Sequence, residues 1–242
     1  MVGKPAVYRA TVRAALEGAA SGNLMVVGIA PRWAETGYGY IEFERGTRQG
    51  TAEPLPVKRF HEKPVPAKAR RYLAAGNFYW NSGMFFWRTE VLLDELRRQL
   101  PKTATLLAAL PKFGARDFPS RLARAFPLCD NISIDYAVME KAARVSGIAA
   151  ADFGWNDVGS WNAVYELLPR DERGNVIPTC GVCLDSHRNF VDAGRKTVAL
   201  LGVSDLIVVD TPDALLVAAR DKAQQVGEIV KTLERARREE LL

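Results

Sequence analysis

Cysteine and histidine are scarce in this chain, three and two among 242 residues, and the scarcity excludes several chemistries. An odd thiol count with no secretory context argues against a disulfide framework. Cys180 and Cys183 form a C-x-x-C, but no second pair follows and Cys129 is remote. A structural zinc, which takes about four ligands at close spacing, is therefore not supported. His61 and His187 have no partner at metal-ligand spacing, which sets zincin chemistry aside. The longest apolar runs, "LMVVGIA" and "DLIVVD", fall far short of the roughly 20 residues of a membrane span. The N-terminus also lacks the charged-then-apolar layout of a signal peptide. A soluble, cytoplasmic protein with no membrane partner is expected.

Standard phosphate and nucleophile motifs are missing too. The sequence contains no G-x-x-x-x-G-K-[ST], no G-x-G-x-x-G and no G-x-S-x-G, so a P-loop, a dinucleotide fingerprint and a hydrolase elbow are unavailable. What is present is ordinary globular material, 48% hydrophobic and 25% charged. The net charge of +5 could suit a nucleic acid or a small anion. The basic residues are scattered, however, and the dense cluster "ERARREE" alternates with acids as a solvated helix face does. No nucleic-acid partner is expected.

Apolar spacing predicts a helix over 6–21 running into the strand "LMVVGI". "GYGYIEFE" and "VKRFHEK" read as strands, followed by a short helix between Pro66 and Gly76 and the strand "FYWNSGMFFW". A long helical stretch over 89–110, then helices in "SIDYAVMEKAA" and "SWNAVYELL", complete an α/β pattern with a mainly parallel or mixed sheet. From "PRDERGNV" onward the chain becomes short β segments, closed by an amphipathic helix over 220–240. Two domains are expected, 1–172 and a small β-rich domain over 173–242.

Several polar residues sit where a core would not ask for them. Gly37 and Gly39 flank Tyr38 at a strand entrance, permitting either a bulge or a ligand against the backbone. Glu62 and Lys63 in "FHEKP" lie at a strand end before a Pro-led helix, as ligand-binding residues or as an exposed ion pair. Asp157 in "FGWNDVGSW" reads as a turn carboxylate or as a ligand for Mg2+, which is typically held by one or two carboxylates plus waters and phosphate oxygens. Asp135 in "SIDYAVME" falls in a helix's first turn and reads as a structural, dipole-facing carboxylate. Asn81, between the aromatics of "WNSGMFFW", has no packing rationale.

"GIAPRWAETGYGYIEF", "FHEKP", "GNFYWNSGMFFW", "SIDYAVMEKA" and "GWNDVGSW", in this order, resemble the mannose-1-phosphate guanylyltransferases, and the later "GNV", "LIVVDTPDALLVA" and "AQQVGEIVKTL" resemble the end of that family's short form. The resemblance runs over essentially the whole chain. It implies an incomplete nucleotide-diphospho-sugar transferase domain, Rossmann-like with a mixed sheet, then a β-rich segment and a C-terminal helix. It also implies joining of GTP and mannose 1-phosphate into GDP-mannose and pyrophosphate, with the mannose 1-phosphate oxygen attacking the α-phosphorus in line. By resemblance Lys63 and Asp157 are catalytic, with Lys63 on a phosphate and Asp157 a magnesium ligand. Glu62 and Asn81 would bind the sugar, the Gly39 backbone would approach it, and Gly83 would leave room for it.

The family's Gly-rich G-x-G-x-R-x-x-P phosphate loop is not found in these 242 residues, and Gly227 stands where the family commonly has Lys. The expectation is a chain that starts after the GTP site and is inactive alone. Uncovered apolar surface would then promote self-association. The alternative is a non-catalytic subunit that pairs with a complete homologue.

Overall fold

The computed structural model describes residues 1–177, 181–238 and 241. Cys180, and with it the C-x-x-C, lies outside them. Cys129 and Cys183 are free thiols. The chain divides into two compact units, Val2–Trp155 and Met1 with Asn156–Leu242.

The larger unit runs α1 (Pro5–Ala20), β1 (Leu24–Ile29), β2 (Tyr40–Glu42), β3 (Leu55–Pro56), β4 (Arg59–His61), α2 (Pro66–Ala75), β5 (Phe78–Phe86), α3 (Thr89–Gln99), α4 (Pro101–Ala108), α5 (Phe118–Ala125), a π-helical turn (Asp135–Met139) and β6 (Val145–Ala149). Its six strands form one mixed sheet in the order β3-β6-β1-β5-β2-β4. β1 pairs parallel with β6 and antiparallel with β5, and β2 pairs antiparallel with both β5 and β4. α2 starts at a proline and stops at Gly76, whose φ of 74° is the left-handed conformation that ends helices. The expected single helix over 89–110 is two helices, because Pro101 opens a new one after Leu100 leaves helical geometry.

Period-2 alternation explains both layers of the core. Met25, Val27, Tyr40 and Trp80 bury against Ala14, Ala15 and Ala19 of α1 and Ala69 of α2. Leu24, Val26, Ile41, Phe43, Phe60 and Tyr79 bury on the opposite face, with Ala137, Val138 and Met139 of the π-helical turn. The aromatics around Asn81 are therefore structural. Trp80 is fully buried, edge-on to Trp33 and Tyr38 with centroids 4.8 and 5.3 Å away, and truncating such a residue costs about 3–5 kcal/mol.

The smaller unit contains α6 (Trp161–Leu167), β7 (Val182–Leu184), β8 (Phe190–Asp192), β9 (Ala199–Leu201), β10 (Leu206–Asp210), β11 (Leu215–Ala219), a 3-10 turn (Arg220–Gln225) and α7 (Val226–Arg235). β8 and β10 pair parallel, as do β7 and β9. Val176, Phe190 and Ile207 stack in register on successive turns of the chain. Contacts divide the chain after Trp155, and the composition shift near residue 172 falls inside the smaller unit. The reason is Tyr165 of α6, which is buried with Val176, Phe190 and Ile207 and donates its hydroxyl hydrogen bond to Gly174 O at 2.6 Å. Ser160 caps α6 by accepting from Ala163 N at 3.3 Å.

Candidate active site

Strand register builds a row of polar groups at one end of the larger unit's sheet. Tyr40 is opposite Trp80 on one side and His61 on the other. One residue earlier along β2, Gly39 lies between Asn81 and Glu62, and Asn81 N donates to Gly39 O at 2.8 Å. Asn81 shares the parity of Tyr79 and Phe85, and Glu62 that of Phe60, so both face the layer that holds the π-helical turn. That turn presents Asp135. Asn81 Nδ2 donates to Asp135 Oδ1 at 2.7 Å, and Asn81 Oδ1 accepts from Gly83 N at 3.0 Å.

Gly39 is small for a reason visible here. A Cβ on it would come within 2.5 Å of Glu62 Oε2 and 3.5 Å of Asn81 Cβ, so the glycine makes room for the carboxylate. Gly83 serves differently. Its φ is +70° and open space surrounds the missing Cβ, so the requirement is conformational. Lys63 also has a positive φ, 38°, a costly conformation for a side-chain-bearing residue and one concentrated at functional sites.

Electrostatics set Glu62 apart. Its side chain is only 17% exposed. Burial first, then the charges of Asp135 and Glu140, raise its pKa above the usual carboxylate range, while Lys63 opposes them. Lys63 Nζ lies 3.8 Å from Glu62 Oε1 on a side chain 66% exposed. That long, solvated pair contributes little to folding and leaves the ammonium able to swing to an anion.

Asp157 belongs to the smaller unit. It is exposed and followed by Val158, whose φ of 55° is an outlier for a β-branched residue. Val158 N donates to Asn156 Oδ1 at 2.8 Å, and a Cβ on Gly159 would come within 2.6 Å of Asp157 Oδ2. A strained turn thus holds the carboxylate over a glycine. Among the described residues no group of three or more His, Cys, Asp or Glu gathers as a metal site. A single carboxylate still fits Mg2+, which completes its shell with water and phosphate oxygens.

Sequence reasoning therefore named Gly39, Glu62, Lys63, Asn81 and Gly83, which the larger unit brings together, and it named Asp157, which the smaller unit carries. It took Asp135 as structural and missed the bond to Asn81. No local signal announces a contact between residues 54 apart in the chain.

Residues 4–174 match the nucleotidyl transferase family model. The chain belongs to that family. Residues 180–233 match a second model, the MannoseP isomerase/GMP-like beta-helix domain, in keeping with the parallel stacking of Val176, Phe190 and Ile207. Over 97% of its length the chain is 39% identical to a mannose-1-phosphate guanylyltransferase of Klebsiella pneumoniae and 41% identical to the xanthan biosynthesis protein XanB of Xanthomonas campestris pv. campestris. It covers 50% and 49% of those proteins, so this nucleotidyl transferase chain spans about half the length of the curated relatives it matches. A solved structure from Thermus thermophilus, described as a mannose-1-phosphate geranyltransferase, superposes with a TM-score of 0.78 at 36% identity, covering 97% of this chain and 67% of that one.

Proposed function

We propose that this chain carries the sugar-phosphate side of a mannose-1-phosphate guanylyltransferase, which joins mannose 1-phosphate to GTP, giving GDP-mannose and pyrophosphate. The observation that carries the reading is the row Glu62, Gly39 and Asn81, with Lys63 adjoining it. A partly buried carboxylate and an amide suit sugar hydroxyls, which both donate and accept, and a mobile ammonium suits the attached phosphate. The relatives named for this activity support the choice of mannose.

In the reaction an oxygen of mannose 1-phosphate attacks the α-phosphorus of GTP, and the bond to the pyrophosphate oxygen breaks. Such transfers depend on positioning and charge neutralisation more than on covalent chemistry. Glu62 and Asn81 hold the ring, Gly39 keeps the backbone against it, and Lys63 neutralises the attacking phosphate. Asp157 would hold magnesium, which supplies further neutralisation on the phosphates when bound. The Gly-rich phosphate loop is absent from residues 1–242, so turnover needs GTP-binding residues that these 242 do not include. No helix among the described residues is long and apolar enough to cross a membrane. A reducing, cytoplasmic setting belongs to the proposal and suits the free thiols Cys129 and Cys183.

Titration calorimetry with mannose 1-phosphate tests the reading. Saturable binding is expected, weakened by about tenfold or more in Asn81→Ala, the ordinary scale for a lost hydrogen bond to ligand. Residues 1–242 alone should bind mannose 1-phosphate without releasing pyrophosphate from GTP. A well-folded chain that ignores mannose 1-phosphate would overturn the assignment.

A further inference from the structure

We infer that Asp135 is a positioning residue that holds the Asn81 amide in a single orientation for the sugar. The inference rests on the sugar-phosphate reading for its ligand, and on geometry for the rest. An asparagine amide can flip, exchanging its oxygen and its NH2 group. Here Oδ1 accepts from Gly83 N at 3.0 Å and Nδ2 donates to Asp135 Oδ1 at 2.7 Å. Flipping would set oxygen against carboxylate and NH2 against N–H, two repulsive contacts in place of two attractive ones. The bond to Asp135 is the shorter of the two, and its acceptor is a carboxylate oxygen.

Both flanking groups are themselves fixed. Gly83 takes a left-handed φ of +70° and its N–H is held on the side chain two residues earlier. Asp135 begins the π-helical turn, where Glu140 N donates to Asp135 O at 2.9 Å and Ala137, Val138 and Met139 are buried. Widened helical turns of this kind concentrate at functional sites. This one is pinned to the core through its last three residues while its first faces the polar row.

The consequence is specific. With one N–H and one lone pair engaged, Asn81 retains one N–H and one lone pair, a set matched to a hydroxyl that accepts and donates. Because the amide is already held, binding does not have to order it. The groups facing Glu62 are Lys63, Asp135 and Glu140, so the same carboxylate also biases the neighbouring sugar contact.

The test compares the chain with Asp135→Ala and Asp135→Asn. In 15N-labelled protein the Asn81 side-chain NH2 reports the hold directly. One of its protons should resist exchange in the wild type, lose that protection in Asp135→Ala and regain it in Asp135→Asn, whose amide oxygen still accepts. Affinity for mannose 1-phosphate should fall about tenfold in Asp135→Ala and stay within about threefold of wild type in Asp135→Asn, following the loss or retention of one hydrogen bond. A residue that only stabilised the helix start would shift the melting temperature and leave both readouts unchanged. Unchanged affinity and NH2 exchange in a folded Asp135→Ala overturn the inference and leave the sugar-phosphate reading standing. Failure of the wild type to bind mannose 1-phosphate overturns the reading and the ligand role of Asp135 together. If Asp135→Ala does not fold, Asp135→Asn decides, because loss of Asn81 protection there contradicts the proposed hold.

Discussion

The carboxylate of Glu62 occupies the space that a side chain on Gly39 would need, 2.5 Å from the position of its Cβ. Two adjacent strands are thereby coupled: the residue after β4 can place its carboxylate there only because the entrance to β2 is a glycine. Gly39→Ala should displace Glu62 and leave the fold nearly intact, since the atom it meets is the free end of a flexible side chain and the backbone at Gly39 is not left-handed. Thermal unfolding should register less than about 1 kcal/mol, as for substitutions without a core clash. Mannose 1-phosphate affinity should fall about tenfold. A large drop in melting temperature instead would mean that the backbone, not Glu62, is what yields.

Glu62 is expected to trade stability for binding. Burial, Asp135 and Glu140 favour its protonated form in the folded chain, so folding binds the proton more tightly than the unfolded state does. The stabilising contribution is complete below the ordinary glutamate pKa of about 4.3 and is lost as pH rises through the raised folded value. At neutral pH the ionised group is a liability. Glu62→Gln should therefore raise the denaturation midpoint at pH 7, lose that advantage near pH 4, and weaken mannose 1-phosphate binding. A midpoint lowered at pH 7 would show that Glu62 is held by compensating partners.

Much of this was legible in the sequence, and the limits are physical. Apolar periodicity located β1, β5 and α1, and Pro66 with Gly76 bracketed α2 because their backbone preferences act locally. Glu62, Lys63 and Asn81 could be named as polar residues without a packing reason. Their arrangement into a row could not, because it depends on the register of β5, β2 and β4, which is set by long-range pairing. The bond from Asn81 to Asp135 was hidden for the same cause: the two residues are 54 apart in the chain. The contact boundary after Trp155 carries no composition signal, because Tyr165 lies in a stretch that looks like the preceding α/β pattern, yet its hydroxyl and ring are satisfied by Gly174, Val176 and Phe190.

Acid should destabilise the chain through carboxylates that are well paired when folded. A hydrogen bond from Gly154 N and then Lys4 lower the pKa of Asp152, and Arg188, through a two-pronged contact at 2.8 and 2.6 Å, lowers that of Asp205. At Asp171 burial pulls upward, but hydrogen bonds from the Asn175 backbone and side chain and from Arg173 N outweigh it. Each folded value lies below the unfolded one of about 3.9, so the contributions are present above that pH and disappear as pH falls through the folded values. Urea midpoints should drop progressively below pH 4. All three are solvent-accessible, so added salt should shrink the share that comes from charge pairs; Asp171→Asn should flatten the acid limb, because the carboxylate that accepts from Arg173 N, Asn175 N and Asn175 Nδ2 no longer titrates. An equally steep limb in that variant would remove Asp171 from the account.

Asn189 offers the sharpest stability prediction, because its surroundings cannot be replaced by water. It is fully buried, as is Asn175 to within 1%. Its Nδ2 donates to Asn175 Oδ1 and to Val203 O, each at 3.0 Å, and its Oδ1 accepts from Leu206 N at 3.0 Å. It thus ties the turn before β8 to the turn before β10, where the chain needs a polar bridge between stacked β segments. Asn189→Ala removes the partner of Leu206 N, while Val203 O keeps its bond from His187 N, and at about 1–3 kcal/mol for a buried unsatisfied group the cost should be about 2 kcal/mol in urea unfolding. Asn189→Asp keeps an acceptor for Leu206 N, forfeits both donor bonds and buries a charge, so it should be at least as damaging. The ordering matters more than either value: a milder effect from Asp than from Ala would mean that solvent reaches the network, and the parallel stack of Val176, Phe190 and Ile207 would then have to hold without it.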